Sequence, residues 1–227
     1  MIMGKMILSA KPSTLKNGLV GYYDMEHSTQ FENRVTGTLT SYVNVSHNTS
    51  GKIGSSKTLG VGWSYGYSHP IYEYTFTPYQ KLSVSAWIYR SGSSNTEIFR
   101  CYNNGLGAST VSFWFQDANV FFDCKNGSDL FRVYRVNALP LNQWVHLVLT
   151  YDGYPSVSNV KLYQNAVDVS LTVASSTVVS NNTPSYSQIG PGLVCSFDEM
   201  GIYNRLLNQT EITQLYNNGV GLTYANL

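Results

Sequence analysis

Apolar and polar residues alternate along most of this chain, in short runs that turn residues separate. The clearest run spans residues 82–89, and its alternate apolar residues predict one buried face of a strand. That face consists of Leu82, Val84, Ala86 and Ile88. Trp87 and Tyr89 belong to the other face, which indicates that this second face is either covered as well or is a surface that binds a ligand.

Other runs of this kind predict further strands, with turn signals at a spacing of roughly ten residues. The predicted strands are 18–24, 71–76, 97–102, 111–116, 120–124, 130–136, 144–151, 160–163 and 167–173. Residues 36–56 are rich in Thr, Ser, Asn and Gly, which predicts a loop with one edge strand. The pattern as a whole predicts two antiparallel sheets that pack face to face.

One short helix is predicted near the carboxyl terminus. Asn208 can cap its first turn, and Glu211, three residues later, can return the hydrogen bond of a capping box. Leu207 and Ile212 lie on either side of the cap and predict a hydrophobic staple. Gly219 is predicted to end the helix in the left-handed conformation.

Several motifs occur in an order that resembles one known family. They are WVHLVLTYDG at 144–153, KLYQN at 161–165 and FDEMGIYNRLL at 197–207, preceded by GLVGYYD at 18–24. Together they resemble the laminin-G-like jelly rolls of the concanavalin A-like lectin/glucanase superfamily, over roughly residues 18–217. The resemblance implies an all-β fold, a two-sheet antiparallel jelly-roll β-sandwich with one short C-terminal helix. It does not fix the function, because the superfamily contains glycan binders, protein binders, glycosidases and structural modules.

The chain is predicted to have two parts. Residues 1–17 lack periodicity and predict an extended N-terminal arm, which is either a frayed terminus or an arm that docks on a partner subunit of a homo-oligomer or larger assembly. Residues 18–227 form the laminin-G-like β-sandwich domain. Met6-Ile7-Leu8 is too short for the core of a signal peptide, and no apolar run has the length of a transmembrane segment.

Charge and cysteine content narrow the choice of partners. The 14 basic residues against 13 acidic ones give a net charge of +1, which argues against nucleic acid and against a polybasic membrane surface. Cys101, Cys124 and Cys195 are widely spaced and odd in number. That spacing argues against a zinc site and indicates buried free thiols, or at most one bridge.

The candidate catalytic motifs argue for a non-enzymatic protein. Residues 62–66 match the Gly-x-Ser-x-Gly nucleophile elbow, but residues 67–70 that follow cannot open the helix which an elbow requires. The paired carboxylates of the related glucanases, Glu-x-Asp-x-x-Glu or Glu-x-Asp-x-Glu on one strand, do not occur. Separate carboxylates can still meet in space, and the candidates are Glu73, Glu97 and Asp117.

The resemblance also implies a structural calcium ion. In laminin-G-like modules an Asp at the position of Asp198 often helps to hold Ca²⁺, with a second ligand at the position of Asn33. Asparagine offers a carbonyl oxygen there but no charge, whereas calcium needs six to eight oxygens. The alternative is that Asp198 accepts hydrogen bonds from backbone N–H groups in a turn.

The aromatic segment at residues 60–69 is the candidate ligand site. Trp63, Tyr65, Tyr67 and His69 would fall on one side of an extended loop. Aromatic platforms with a few hydrogen-bonding groups are typical of glycan sites. The alternative is that these residues pack across an edge of the sandwich or against another subunit. His146, in the middle of a predicted strand, is expected in or near the core.

These observations leave two functional hypotheses. The preferred one is a virion surface protein of a bacteriophage, such as a capsid decoration, fibre or tail protein. It would attach to capsid or tail proteins through the N-terminal arm, and its lectin-like fold would adhere to glycans. The alternative is a free carbohydrate- or receptor-binding lectin module, located outside the cell or on its surface.

Overall fold

Alternating apolar residues build this chain into two antiparallel sheets. The computed structural model describes residues 13–28, 30–41, 45–48, 50–59, 70–71, 74–93, 95–189 and 195–227. The first strands in chain order are β1 (Leu19–Tyr23), β2 (Gln30–Asn33), β3 (Thr38–Ser41), β4 (Val45–Asn48), β5 (Ser56–Leu59), β6 (Pro70–Ile71), β7 (Lys81–Arg90) and β8 (Asn95–Asn103). They are followed by β9 (Ala108–Gln116), β10 (Asn119–Asn126), β11 (Asp129–Arg135), β12 (Trp144–Asp152), β13 (Val160–Gln164), β14 (Val167–Val169), β15 (Thr172–Ser176), β16 (Tyr186–Ile189) and β17 (Cys195–Tyr203).

The strands are divided between two large sheets. Among the described strands, the eight-stranded sheet has the order β14-β13-β12-β7-β17-β5-β4, with β1 also paired to β17. The seven-stranded sheet has the order β15-β11-β10-β9-β8-β16-β6, and β2 and β3 form a separate hairpin. The all-β, two-sheet antiparallel sandwich predicted from the sequence is confirmed, and the long predicted strands agree with the observed bounds.

One apolar core lies between the two sheets. The predicted core face of β7 is confirmed, because Leu82, Val84, Ala86 and Ile88 are all fully buried. The seven-stranded sheet contributes alternate residues of β9 and β10, including Phe113, Phe115 and Phe122. Burying such side chains removes apolar surface from water and is the main stabilising contribution to the fold.

The helix α1 (Gln209–Tyr216) begins as the sequence predicted. Asn208 Oδ1 accepts a hydrogen bond from Glu211 N at 3.0 Å, and Glu211 Oε2 accepts one from Asn208 N at 3.0 Å, which is the predicted capping box. The prediction that Gly219 ends the helix is wrong. Asn217 ends it in the left-handed conformation, with φ of 46°, and Gly219 adopts a positive φ two residues later.

Helix α1, residues 13–17 and residues 222–227 cover part of the outer face of the eight-stranded sheet. A second apolar cluster forms there; it consists of Leu15, Leu19, Tyr22, Val148, Tyr163, Tyr203, Leu207, Ile212, Leu215 and Leu227. Leu15 lies in the segment predicted as an arm and is 1% exposed. Arg205 Nη2 donates to the Thr14 carbonyl at 2.9 Å, and Arg205 Nη1 and Nη2 also pair with Glu211. Residues 13–17 are therefore tied to the helix.

The same cover shows whether the second face of β7, which carries Trp87, is covered or free to bind a ligand. The Trp87 ring is buried and contacts His146 at 5.0 Å and Tyr216, the last residue of α1, at 5.8 Å between centroids. Lys52 Nζ lies 4.4 Å from the centroid of the same ring. The second face of β7 is thus covered at Trp87, which is one of the two outcomes that the alternation allowed.

Two predicted strands differ from the observed ones. Residues 71–76 were predicted as one strand, but β6 ends at Ile71, residues 72–73 are outside the described part, and 74–76 are not a strand. Phe76 N donates to Cys101 Sγ at 3.2 Å, and the Tyr74 carbonyl accepts from Ser187 Oγ. Side chains thus take the place of the backbone groups that a neighbouring strand would supply.

The predicted strand 167–173 is two strands in different sheets. β14 belongs to the eight-stranded sheet and β15 to the seven-stranded sheet. Between them the chain crosses the edge of the sandwich, where Leu171 packs against the core. Residues 36–56 contain β3 and β4 instead of a single edge strand.

The remaining expectations concern cysteines and membranes. Cys101, Cys124 and Cys195 are all buried free thiols, as the sequence predicted. Burial raises the pKa of Cys101 to about 12, so this thiol is poorly reactive. Within the described residues, no helix has the length and apolar character needed to span a membrane.

His146 should make stability fall in acid. It is 1% exposed and its Nε2 lies 2.8 Å from Ser85 Oγ, and burial lowers its pKa to about 3. The unfolded chain binds a proton near pH 6.5, but the folded chain does not. Wild type should therefore lose up to about 3 kcal/mol more stability than His146→Gln between pH 6.5 and pH 4.

Urea unfolding at the two pH values measures this difference. His27→Gln, which removes a less buried histidine, is the matched control for the loss of one imidazole. Equal pH slopes for wild type and His146→Gln would contradict a neutral buried imidazole.

Candidate functional site

The sequence-predicted ligand residues cannot be placed. Trp63, Tyr65, Tyr67 and His69 lie outside the described residues, and so does the Gly-x-Ser-x-Gly segment. Their role in ligand binding stays a prediction. The described residues show a different candidate surface, the outer face of the seven-stranded sheet, here called the aromatic face.

An aromatic row crosses the middle of this face. Trp114 on β9 is opposite Phe121 on β10, and Phe121 is opposite Tyr134 on β11. The Trp114 and Phe121 rings stack at 4.3 Å between centroids with an interplanar angle of 13°, and the Phe121 and Tyr134 rings stack at 5.7 Å. All three side chains are half-buried. They form a continuous stack across three strands, with part of each ring in contact with solvent.

A polar row runs beside the aromatic row. Its members are Gln188, Arg100, Ser112, Asp123 and Arg132, which are paired in this order across β16, β8, β9, β10 and β11. Because residues two apart on a strand share a face, the two rows are neighbours on one side of the sheet. The face therefore presents aromatic rings and charged hydrogen-bonding groups side by side.

Asp123 joins the two rows. Arg132 Nε donates to its Oδ1 at 2.8 Å and Arg132 Nη2 to its Oδ2 at 2.6 Å, which is a bidentate pair. Trp114 Nε1 donates to Asp123 Oδ2 at 3.1 Å. The Arg132 guanidinium lies 5.0 Å from the Trp114 ring centroid and 5.7 Å from that of Phe121. The guanidinium is therefore fixed against the aromatic stack.

A second ion pair lies on the other side of Trp114. Arg100 Nε is 2.8 Å from Glu97 Oε2, and Ser112 Oγ donates to Glu97 Oε1 at 3.2 Å. Arg100 also donates to Gln188 Oε1. Burial raises the pKa of Glu97 above its ordinary value, although the positive charge of Arg100 opposes that shift.

A further aromatic pair extends the face. Tyr102 and Tyr186 stack at 5.4 Å between centroids, and the Arg100 guanidinium lies 5.3 Å from the Tyr102 ring. The pair borders the polar row at β8 and β16. Aromatic surface therefore lies on both sides of the charged groups along the strand direction.

This arrangement suits a ligand with both apolar and hydroxyl surface. Carboxylate oxygens accept hydrogen bonds, and guanidinium groups donate them in a fixed plane. Aromatic rings supply contact area with little loss of side-chain freedom. Aromatic surface beside hydrogen-bond donors and acceptors is the chemistry that many ligand-binding surfaces use.

The two predicted calcium ligands are engaged elsewhere. Asn33 Oδ1 accepts hydrogen bonds from Tyr22 N at 3.2 Å and Val35 N at 3.1 Å. Asp198 Oδ2 accepts from Ile53 N at 2.9 Å, and its Oδ1 accepts from Glu199 N at 2.9 Å. These backbone bonds match the alternative that the sequence left open for Asp198.

Asp198 belongs to a buried acidic cluster. Burial raises the pKa of Asp198 and of Glu199 to about 8, and the negative charges of Asp24 and Glu26 act in the same direction on Glu199. Calcium needs more oxygens than Asp198 alone provides. Among the described residues, no group of three or more His, Cys, Asp or Glu side chains is arranged to hold a metal ion. The residues as placed do not fit a calcium site, and calcium binding stays a prediction.

Of the three separate carboxylates, the structure describes Glu97 and Asp117. Glu73 lies outside the described residues, and Asp117 is exposed in the turn between β9 and β10. Glu97 lies on the aromatic face, where its electrostatic neighbour is Asp123. Each of these two carboxylates is already paired with an arginine.

Sequence reasoning missed the aromatic face, although a signal for it exists. In the predicted strands, Trp114 lies on the same side as Ser112, Phe121 on the same side as Asp123, and Tyr134 on the same side as Arg132. Two tight turns connect these strands, and two-residue turns fix the register of a hairpin. That register would have aligned the three aromatic residues.

Two stacked antiparallel sheets, one outer face covered and the other aromatic and charged, define a lectin-like β-sandwich. The chain belongs to the concanavalin A-like lectin/glucanases superfamily, whose laminin G family model matches residues 68–213, more than half of its length. This confirms the family inferred from the sequence motifs. No curated protein sequence matches the chain significantly.

Solved structures share the fold at low sequence identity. The binding domain of Paraclostridial mosquitocidal protein 1 matches with a TM-score of 0.69 and 16% identity, over 90% of this chain and 53% of that one. The receptor binding domain of botulinum neurotoxin type G matches at 0.65 and 11%, over 89% and 51%. A Trypanosoma rangeli sialidase matches at 0.60 and 16%, over 90% and 34%. The chain thus spans about half the length of the toxin binding domains.

Proposed function

We propose that this chain is a non-enzymatic carbohydrate-binding module and that the aromatic face is its binding surface. One observation carries the proposal. Helix α1 covers part of the outer face of the eight-stranded sheet, where Tyr89 and Trp144 form one half-buried aromatic pair, whereas the outer face of the seven-stranded sheet has a row of three stacked aromatic rings beside paired charges. Partly exposed aromatic surface beside hydrogen-bonding groups is typical of ligand sites.

Pyranose sugars fit this chemistry. Their C–H groups pack on aromatic side chains, while pairs of hydroxyls bond to a carboxylate and a guanidinium at the same time. The Arg132–Asp123 pair lies beside Trp114, so a guanidinium, a carboxylate and an aromatic ring are close together. The two toxin neighbours are binding domains, which supports binding over catalysis. The sialidase neighbour is an enzyme, but the carboxylates of the aromatic face are neutralised by arginines.

Trp114→Ala should abolish or weaken glycan binding by at least about tenfold, because it removes the ring that Arg132 and Phe121 pack against. A glycan array with the full chain measures this, run with Ca²⁺ and again with EDTA. Trp144→Ala is the matched control, since Trp144 is also half-buried but packs with Tyr89 on the other sheet. Trp63→Ala tests the aromatic loop that the sequence predicted.

The outcomes separate the candidate sites. Loss in Trp114→Ala alone supports the aromatic face, and loss in Trp63→Ala alone moves the site to residues 60–69. Binding that disappears only with EDTA would support the calcium ion that the sequence predicted at Asp198, against the fit of the residues as placed. If neither wild type nor any variant binds a glycan on a broad array, the carbohydrate proposal is refuted.

We propose as the second candidate that the module is displayed on a virion or another assembly through its N-terminal segment. One observation favours it: residues 13–17 pack beside helix α1 over the eight-stranded sheet. An attachment there would leave the aromatic face, on the opposite side of the sandwich, free to meet a glycan or receptor outside the cell. Capsid or tail proteins are the partners in this case.

Deleting residues 1–12 should then remove incorporation into a particle or oligomer without loss of glycan binding. The deletion keeps Leu15 and Thr14, which contact the folded domain. Particle sedimentation and the glycan array measure the two properties separately. Unchanged incorporation of the shortened chain would contradict attachment through this segment.

A further inference from the structure

We infer that the aromatic face selects neutral glycans over acidic ones. This inference rests on the proposed carbohydrate-binding function and names the chemical class of the ligand. It follows from the way in which the charges of the aromatic and polar rows are paired with each other.

The positive charges within the two rows are matched by negative ones. Arg132 is paired with Asp123 at 2.6 Å, and Arg100 is paired with Glu97 at 2.8 Å. Two arginines and two carboxylates leave these rows without net charge. Lys125, two residues beyond Asp123 on β10, lies on the same side of the sheet and adds a positive charge at the edge of the face, beyond the two rows.

The geometry of the pairs disfavours an acidic sugar. A sialic or uronic acid is best held by a guanidinium that presents two N–H groups to the carboxylate. Arg132 already uses Nε and Nη2 for Asp123. An incoming carboxylate would have to displace Asp123, or lie beside it and beside Glu97, and like charges at such distances repel.

The same geometry favours hydroxyl groups. Asp123 and Glu97 supply acceptor oxygens next to the donor groups of the two arginines. One sugar hydroxyl can therefore donate to a carboxylate and accept from the neighbouring guanidinium. The rings of Trp114, Phe121 and Tyr134 stack on one another, so their ring edges are available beside the stacked faces. Ring edges carry partial positive charge, which suits the lone pairs of hydroxyl oxygens.

Matched glycan pairs test this inference. Binding of wild type to immobilised lactose-type and glucan oligosaccharides is compared with binding to their sialylated and uronic acid counterparts, at 50 mM and 500 mM NaCl. We expect the neutral member of each pair to bind at least about tenfold more tightly. Its affinity should change little with salt, because no net charge is screened.

The Asp123→Asn variant tests whether the carboxylate of Asp123 disfavours acidic glycans. It releases Arg132 from its carboxylate and leaves one uncompensated positive charge, so binding of acidic glycans should increase about tenfold and become sensitive to salt. Asp152→Asn is the matched control. It makes the same charge change in the exposed Lys81–Asp152 pair of the other sheet, and should leave glycan preference unchanged.

Each outcome bears on one proposal. Preference of wild type for acidic glycans overturns the inference, while the carbohydrate-binding proposal stands. No binding of either class by wild type refutes the proposed function itself. If Asp123→Asn does not fold, the comparison of neutral and acidic glycans with wild type still decides the question.

Discussion

The burial of one face of each long strand against the opposite sheet is the constraint on which this molecule depends. In β7, β9 and β10 every second side chain enters the shared core. Because successive side chains alternate in direction, each buried residue obliges its neighbours to point outwards. A slip of one residue would exchange the two sets completely. The composition of the outer faces is therefore fixed by the same alternation that fixes the core.

The two outer faces meet water in different ways. On the eight-stranded sheet, Trp87 and His146 are sealed by Tyr216 of α1, and the helix itself is held by its capping box and by Arg205. On the seven-stranded sheet, the described residues protect the aromatic row only from the side, by ring stacking and by the Arg132–Asp123 pair. The first face is thus part of the folded core, whereas the aromatic rings of the second are partly exposed among the described residues.

Much of the fold could be predicted because alternation and capping are local signals. Leu82 to Ile88 identified a core face, and Asn208 with Glu211 identified the start of the helix. The crossing at Leu171 could not be predicted, since residues 167–173 alternate without interruption while the chain changes sheets. The end of the helix was missed because asparagine can adopt the left-handed conformation that glycine usually provides.

The candidate site was harder to predict because it depends on register. Gln116 pairs with Asn119 and Asn126 with Asp129, so two-residue turns connect β9, β10 and β11. These turns bring Asp123 opposite Arg132, nine residues away in the sequence. Partly exposed ion pairs contribute little to stability, and exposed rings favour unwanted association. Such a surface is better explained by binding: Asp123 holds the guanidinium against the rings before any ligand arrives, so less side-chain freedom is lost when one binds.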